Sequence, residues 1–195
     1  VRDNLERGKT ENLQHCINQI HFQQTDLRSS PAFRPYAHMI SFPYSPYSVV
    51  FDLAAKVWGI KNLYAQPATL LRDNVRITQN VIDRCVDAEK YVYLSSSCVY
   101  DSDTVQIPHV EDDVGLINSF YGWSKYYGEL ICKAYHQEFG LNYTIARPFN
   151  VYGPRESFQF PHVIPDFIKQ AHRLKLGGNV FGILGDGNQT RSFTY

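Results

Sequence analysis

The sequence predicts an α/β fold built on a doubly wound, mostly parallel sheet. Two observations carry that expectation. Short apolar runs alternate with longer stretches of helical periodicity, in the strand–helix–strand–helix–strand order that βαβ units produce. Polar or small residues also recur just after the apolar runs, at Asp3, Asp26, Ala54-Ala55, Ser95-Ser96-Ser97 and Phe149-Asn150. Those are carboxyl ends of strands, where open parallel sheets bind their ligands.

Taken in order, Val1 to Leu5 reads as the end of a strand. Residues 19–24 alternate weakly and run into a loop at Thr25-Asp26-Leu27. Residues 48–55 form a short apolar run ending in small residues, the pattern of a buried parallel strand. Residues 70–86 place Leu71, Val75, Thr78, Val81, Ile82 and Cys85 at helical spacing. Residues 90–95 are the next strand, 121–139 the next helix, closed by Gly140. A strand over 142–147 and a helix over 165–174 complete the pattern. Residues 29–47, rich in Pro, Ser and aromatics, stand where such a fold normally places a helix. A packed loop, a lid and a junction lacking residues all fit that stretch.

Composition narrows the function classes. The chain has 195 residues, 44% of them hydrophobic, enough for one domain with a sizeable core. Nineteen basic residues balance nineteen acidic ones, so there is no basic footprint for nucleic acid and no polybasic membrane patch. No apolar run approaches a bilayer span, and the N-terminus lacks a signal-peptide core. Cys16, Cys85, Cys98 and Cys132 show no Cys-x-x-Cys spacing, and the histidines are scattered, so no metal site is expected. The chain reads as cytoplasmic.

The chemistry concentrates in Tyr121-Gly122-Trp123-Ser124-Lys125. Tyr121 and Lys125 are one helical turn apart and share a face. An ammonium beside a phenol favours the phenolate, a usable proton acceptor near neutral pH. Upstream, Ser95-Ser96-Ser97-Cys98-Val99-Tyr100 brings a hydroxyl from a strand end that could share a substrate oxygen with that phenol. Together these residues describe a hydroxyl/ketone redox site that needs a hydride carrier.

These pieces, with Leu53-Ala54-Ala55, Arg147-Pro148-Phe149-Asn150-Val151-Tyr152-Gly153-Pro154-Arg155 and Gly185 to Phe193, resemble the extended short-chain dehydrogenase/reductase family. Its members are NAD-dependent nucleotide-sugar epimerases and dehydratases with a Rossmann-like fold. The resemblance implies Tyr121 as general base, Lys125 as ligand of the nicotinamide ribose, and Ser96 as the catalytic hydroxyl. It implies a cofactor surface of Asp3 and Asn4 at the adenosine ribose and Asp26 and Leu27 at adenine. Leu53, Ala54, Ala55, Lys56, Ser95, Pro148, Asn150 and Val151 belong to the same surface. Asp3 favours NAD over NADP, because a carboxylate accepts from ribose hydroxyls and repels a 2′-phosphate. Ser97, Asn150, Arg155, Val163 and Arg191 are implied on the side of a UDP- or GDP-linked sugar, with Arg191 pairing with its diphosphate. Residues 1–152 then form a partial NAD-binding domain whose first strand and glycine loop are expected before Val1. Residues 153–195 begin a substrate-binding lobe, and the full-length protein is expected to be a homodimer.

The resemblance also sorts the reactions. A dehydratase of this family carries an Asp-Glu pair where this chain has Ser97 and Cys98, so dehydration is disfavoured. Arg155 after Pro154 follows the pattern of 4-epimerases and decarboxylases. The leading expectation is therefore a 4-epimerase. Cys98 keeps a second one open, because fucose-synthase-like 3,5-epimerase/reductases place an acid/base Cys there. Lys56-Val57-Trp58-Gly59-Ile60 also looks like that branch. A non-catalytic nucleotide-binding fragment is the third.

Overall fold

The computed structural model describes residues 1–29, 48–57, 59, 65–100, 107–158 and 162–195. Apart from Ser29, the segment 29–47 lies outside the described residues, as do Trp58 and Ile60.

Every described strand pairing is parallel. Strand β1 (Arg2–Asp3) pairs with β2 (Gln23–Gln24) in the register Arg2 to Gln23 and Asp3 to Gln24. A second ladder has the order β3 (Val49–Asp52), β4 (Lys90–Leu94), β5 (Tyr143–Ala146). Helix α1 (Pro67–Ile82) connects β3 to β4, and α2 (Phe120–Phe139) connects β4 to β5. Helix α3 (Val163–Lys175) follows. The α/β architecture with parallel strands is the one the sequence predicts. No backbone ladder joins the two sheets among the described residues. Side chains at their carboxyl ends do: Arg7 reaches the Val57 carbonyl, and Arg28 and Lys56 both bridge Glu6 to Asp73.

Local chemistry sets the helix ends. Pro67 at the first position of α1 needs no amide partner and has its φ preset for a helix. Ser119 caps α2 by accepting the Gly122 amide at 3.0 Å. Gly140 closes it in the left-handed region, φ 73°, a backbone conformation that costs glycine least.

Two expectations about faces are corrected. The buried residues of α1 are Leu70, Asp73, Asn74, Ile77, Thr78 and Ile82, not a stripe through Leu71 and Val75. Thr78, Ile82 and Cys85 of the expected stripe are buried, but Asp73 and Asn74, which find polar partners inside, take the place expected for Leu71 and Val75. In β3, Val49 and Phe51 are exposed while Asp52 is buried. No described element covers the outer face of that strand, and its one charged residue points inward.

The core lies between α2 and the sheet, where Ile82, Cys85, Ala88, Tyr91, Tyr93, Cys132 and Leu141 pack together. Tyr93 of β4 lies so close to α2 that a Cβ on Gly128 would overlap its hydroxyl. Gly128→Ala should lower the unfolding free energy by about 1–3 kcal/mol, the usual cost of overpacking a filled core. Urea titration checks this, and an unchanged midpoint would mean that Tyr93 can move aside. Among the described residues no helix is long and apolar enough to cross a membrane.

Candidate active site

Tyr121 occupies the first turn of α2, directly above the end of β4. Ser96, itself 9% exposed, stands near enough to the Tyr121 phenol to favour its ionised form, and its hydroxyl accepts the Cys98 amide at 3.2 Å. The phenol and the strand-end hydroxyl are therefore neighbours just beyond β4. Lys125 is buried one turn further along, with its ammonium 5.0 Å from the centroid of the Tyr93 ring. Burial pulls the Lys125 pKa down to about 8, opposed by the Asp52 carboxylate. Burial also pushes the Tyr121 phenol up, as does the neighbouring Cys98, while Ser96 and Arg7 act to lower it. The expectation that Lys125 governs the phenol is thus modified. In this structure the balance is set first by desolvation, and Ser96 and Arg7 are the groups that counter it.

A network that sequence reasoning missed holds this turn in place. Asn74 of α1 accepts the Lys56 amide at 2.6 Å and donates to the Lys56 carbonyl at 3.1 Å. It also donates to Ser124 Oγ at 3.2 Å, and Ser124 donates to the Tyr121 carbonyl at 2.7 Å. One amide thereby ties the end of β3 to the turn that carries Tyr121 and Lys125. Asn74→Ala should cost about 1–3 kcal/mol, because the buried Lys56 and Ser124 groups lose their partner. Denaturant unfolding measures it; Asn74→Asp should fail to rescue, since a carboxylate cannot donate to the Lys56 carbonyl.

Ser95 departs from its expected place on the cofactor surface. Its side chain is 2% exposed and turned inward, donating to Glu129 Oε1. Glu129, 1% exposed, is held by Arg147 through Nε at 2.8 Å and Nη2 at 2.6 Å. Arg147 also lies over the Tyr100 ring at 4.8 Å and donates to the Glu111 carbonyl at 2.8 Å. Alternation along the strand end explains the split, with Ser95 facing the interior and Ser96 the Tyr121 phenol.

The other strand ends are partly committed to protein partners. Asp3 accepts the Leu5 amide at 2.6 Å and packs against Gly8, and Asn4 accepts the Glu6 amide at 3.0 Å. Asp26 is chelated by Arg28, whose amide and Nε both bond Oδ1 at 2.9 Å and whose Nη2 bonds Oδ2 at 2.7 Å. Those bonds hold the Asp26 carboxyl below the usual carboxylate range. The Leu27 carbonyl accepts from Asn80 at 2.7 Å. Leu53 is exposed, while Ala54 and Ala55 are half-buried at the end of β3. Lys56 pairs with Asp73 at 3.1 Å and Glu6 at 3.5 Å.

On the opposite side, the Pro148 carbonyl accepts the Ser97 amide at 3.1 Å, extending the β4–β5 contact by one step. Asn150, with φ 33°, donates to the Ser192 carbonyl at 2.8 Å, and Val151 bridges in parallel to Thr194. Arg155, with φ 69°, donates to the Asn12 carbonyl at 3.0 Å. Val163 begins α3 and is exposed; Arg191 is exposed and joins none of the described ion pairs. The structure brings Tyr121, Lys125, Ser96 and Cys98 together and sets Val163 and Arg191 at the surface. Among the described residues no group of three or more His, Cys, Asp or Glu could hold a metal.

The chain is similar in sequence and fold to known proteins. A putative GDP-L-fucose synthase 2 from Oryza sativa subsp. japonica is 37% identical over 155 residues, 73% of this chain and 44% of that protein. The chain spans about half the length of the curated relatives it matches. Among solved structures, the UDP-N-acetylglucosamine 4-epimerase of Methanobrevibacter ruminantium M1, in complex with UDP-N-acetylmuramic acid, superposes with a TM-score of 0.81 at 31% identity, covering 100% of this chain and 60% of that one. The UDP-glucuronic acid 4-epimerase of Bacillus cereus, in complex with UDP-glucuronic acid and NAD, gives a TM-score of 0.72 at 29% identity over 95% of this chain and 55% of that one. The family model described as the NAD dependent epimerase/dehydratase family matches residues 2–195, and the chain belongs to that family.

Proposed function

We propose that the complete protein is a nucleotide-sugar 4-epimerase. The observation that carries the reading is the placing of the Ser96 hydroxyl beside the Tyr121 phenol at the head of α2, with Lys125 buried one turn away. Two solved relatives with the same fold are 4-epimerases by description, which supports the choice of reaction.

The donor set fits a dinucleotide at its ribose and nicotinamide end, where the Ser96 hydroxyl neighbours the Tyr121 phenol, Lys125 lies one helical turn on, and Ala54 and Ala55 keep the strand end low. Lys125 would hold the nicotinamide ribose and Asp3 the adenosine ribose. When bound, NAD supplies the hydride acceptor. Tyr121 takes the proton of the substrate hydroxyl, and Ser96 donates to the same oxygen and fixes its position. The return of the keto-sugar to a hydroxyl needs a protonated phenol, the state that burial favours. The outward step needs the phenolate, which Ser96 and Arg7 favour.

The substrate is a UDP- or GDP-linked sugar, and the complete protein is a cytoplasmic homodimer; the first is supported by the descriptions of the relatives. Incubation with UDP- and GDP-linked sugars should yield both C4 epimers of one of them by NMR, without accumulation of reduced nucleotide. Accumulating reduced nucleotide would contradict an epimerase. Asp3→Asn should narrow the preference for NAD over NADP in direct binding. Equal affinity of the unmodified protein for both would refute the role of Asp3.

One observation favours a second reading. Cys98 is half-buried, and its charge state is felt by Tyr121, so a thiol stands beside the phenol. That is where a 3,5-epimerase/reductase needs an acid/base to move a proton on carbon next to a ketone.

A further inference from the structure

The site leaves one buried carboxylate without a role. Asp52 ends β3 and is 3% exposed. Its Oδ2 accepts the Tyr91 hydroxyl at 2.7 Å, and its Oδ1 accepts the Ala54 amide at 3.3 Å. In the sheet register Asp52 is aligned with Tyr93, so their side chains leave the same face of neighbouring strands. That face carries Lys125. Its ammonium lies 5.0 Å from the Tyr93 ring centroid, and the Tyr93 hydroxyl donates to the Lys125 carbonyl at 3.3 Å. Lys125 is 4% exposed and belongs to none of the described ion pairs.

We propose that Asp52 is a positioning residue, the counter-ion that acts on Lys125 across the Tyr93 ring and keeps its ammonium charged. The proposal rests on reading Tyr121 and Lys125 as the reactive pair. A buried ammonium without an opposite charge tends to lose its proton, and a neutral amine would grip a ribose diol less firmly.

The surroundings leave this task to Asp52. Tyr91 and Tyr93 on β4, Tyr121 and Cys132 on α2, and Cys85 after α1 all face the pair or its neighbours. Burial pushes each of them up, Cys85 to about 11 and Cys132 to about 12, so all are uncharged at neutral pH. Glu129 on α2 is taken by Arg147. Burial, the largest influence, leaves the Asp52 carboxyl above its usual range, and the Tyr91 hydroxyl, Lys125 and the Ala54 amide offset that rise in part by favouring its ionised form. On Lys125 itself, burial acts downward and Asp52 is the neighbour that acts upward, leaving it at about 8.

The test is the titration of Lys125 in the complete protein, followed by NMR of isotope-labelled lysine and assigned with Lys125→Arg. In the unmodified protein the midpoint should lie near 8. Asp52→Asn keeps the acceptor for Tyr91 but removes the charge, and should lower that midpoint by about one pH unit, a tenfold weaker hold on the proton. Asp52→Glu restores the charge and should recover much of the loss. A midpoint unmoved by Asp52→Asn, or moved equally by both variants, would overturn the proposal. If Asp52→Asn does not fold, Lys125→Met gives the reciprocal reading, because the Asp52 carboxyl should then titrate higher; an unchanged Asp52 titration overturns it equally. None of these readings requires turnover. An inactive protein with a coupled Asp52–Lys125 titration refutes the epimerase reading alone, and an active one without the coupling refutes only the role of Asp52.

Discussion

Tyr121→Phe should lower kcat of the complete protein by roughly a hundred- to ten-thousandfold, the range supplied by a positioned acid–base group. The ring keeps its place at the head of α2, and Ser96 keeps its bond to the Cys98 amide. Only the proton-carrying oxygen is lost. Substrate affinity should therefore change little, and the loss should fall on kcat and on kcat/KM alike. Binding of the sugar nucleotide by calorimetry, beside steady-state rates, separates the two effects. A phenylalanine variant that keeps a tenth or more of the original kcat would move the base elsewhere.

Arg147→Met should cost about 3–5 kcal/mol of stability, because it strands the Glu129 carboxylate in the interior. Glu129 is 1% exposed and its remaining described partner is the Ser95 hydroxyl. Arg147 also supports the Tyr100 ring and the Glu111 carbonyl, so the damage should extend to the turn that carries Ser96 and Cys98. Replacing both partners, Glu129→Leu with Arg147→Met, should recover a large part of the loss, since no charge is then left unpaired. Chemical denaturation of the single and double variants measures the coupling. If the double variant is as unstable as the single one, the pair contributes through shape and not through charge.

The turn proposed to be catalytic was legible in the sequence because its logic is local. Tyr121 and Lys125 share a helix face by spacing alone, and Ser96 is placed by the strand that precedes it. The strand–helix order was legible for the same reason, since periodicity and the Gly140 signal act within a few residues. Long-range side-chain pairing was not. Asn74 meets Lys56 and Ser124 across gaps of 18 and 50 residues, and Ser95 meets Glu129 across 34. Nothing in the local pattern marks an Asn or a Ser as buried when its partners lie on other elements. The same reason explains the first two turns of α1, where Asp73 and Asn74, not Leu71 and Val75, point inward toward partners that apolar periodicity ignores. Asp26 illustrates a third kind of miss, because its position after a strand suggested a ligand while Arg28, two residues on, occupies its carboxylate.

Solvent isotope incorporation tests the central claim most directly. In a 4-epimerase the hydrogen removed from carbon 4 returns to that carbon, so no carbon-bound position of the sugar should exchange with water. A 3,5-epimerising enzyme must take a proton from carbon beside the ketone, with Cys98 as its acid/base. With the complete protein and its sugar nucleotide in heavy water, NMR should show inversion at carbon 4 with no deuterium at carbons 3 and 5, and Cys98→Ser should leave the rate nearly unchanged. Deuterium at carbon 3 or 5 that disappears in Cys98→Ser would contradict the 4-epimerase and assign the site to the fucose-synthase-like reaction.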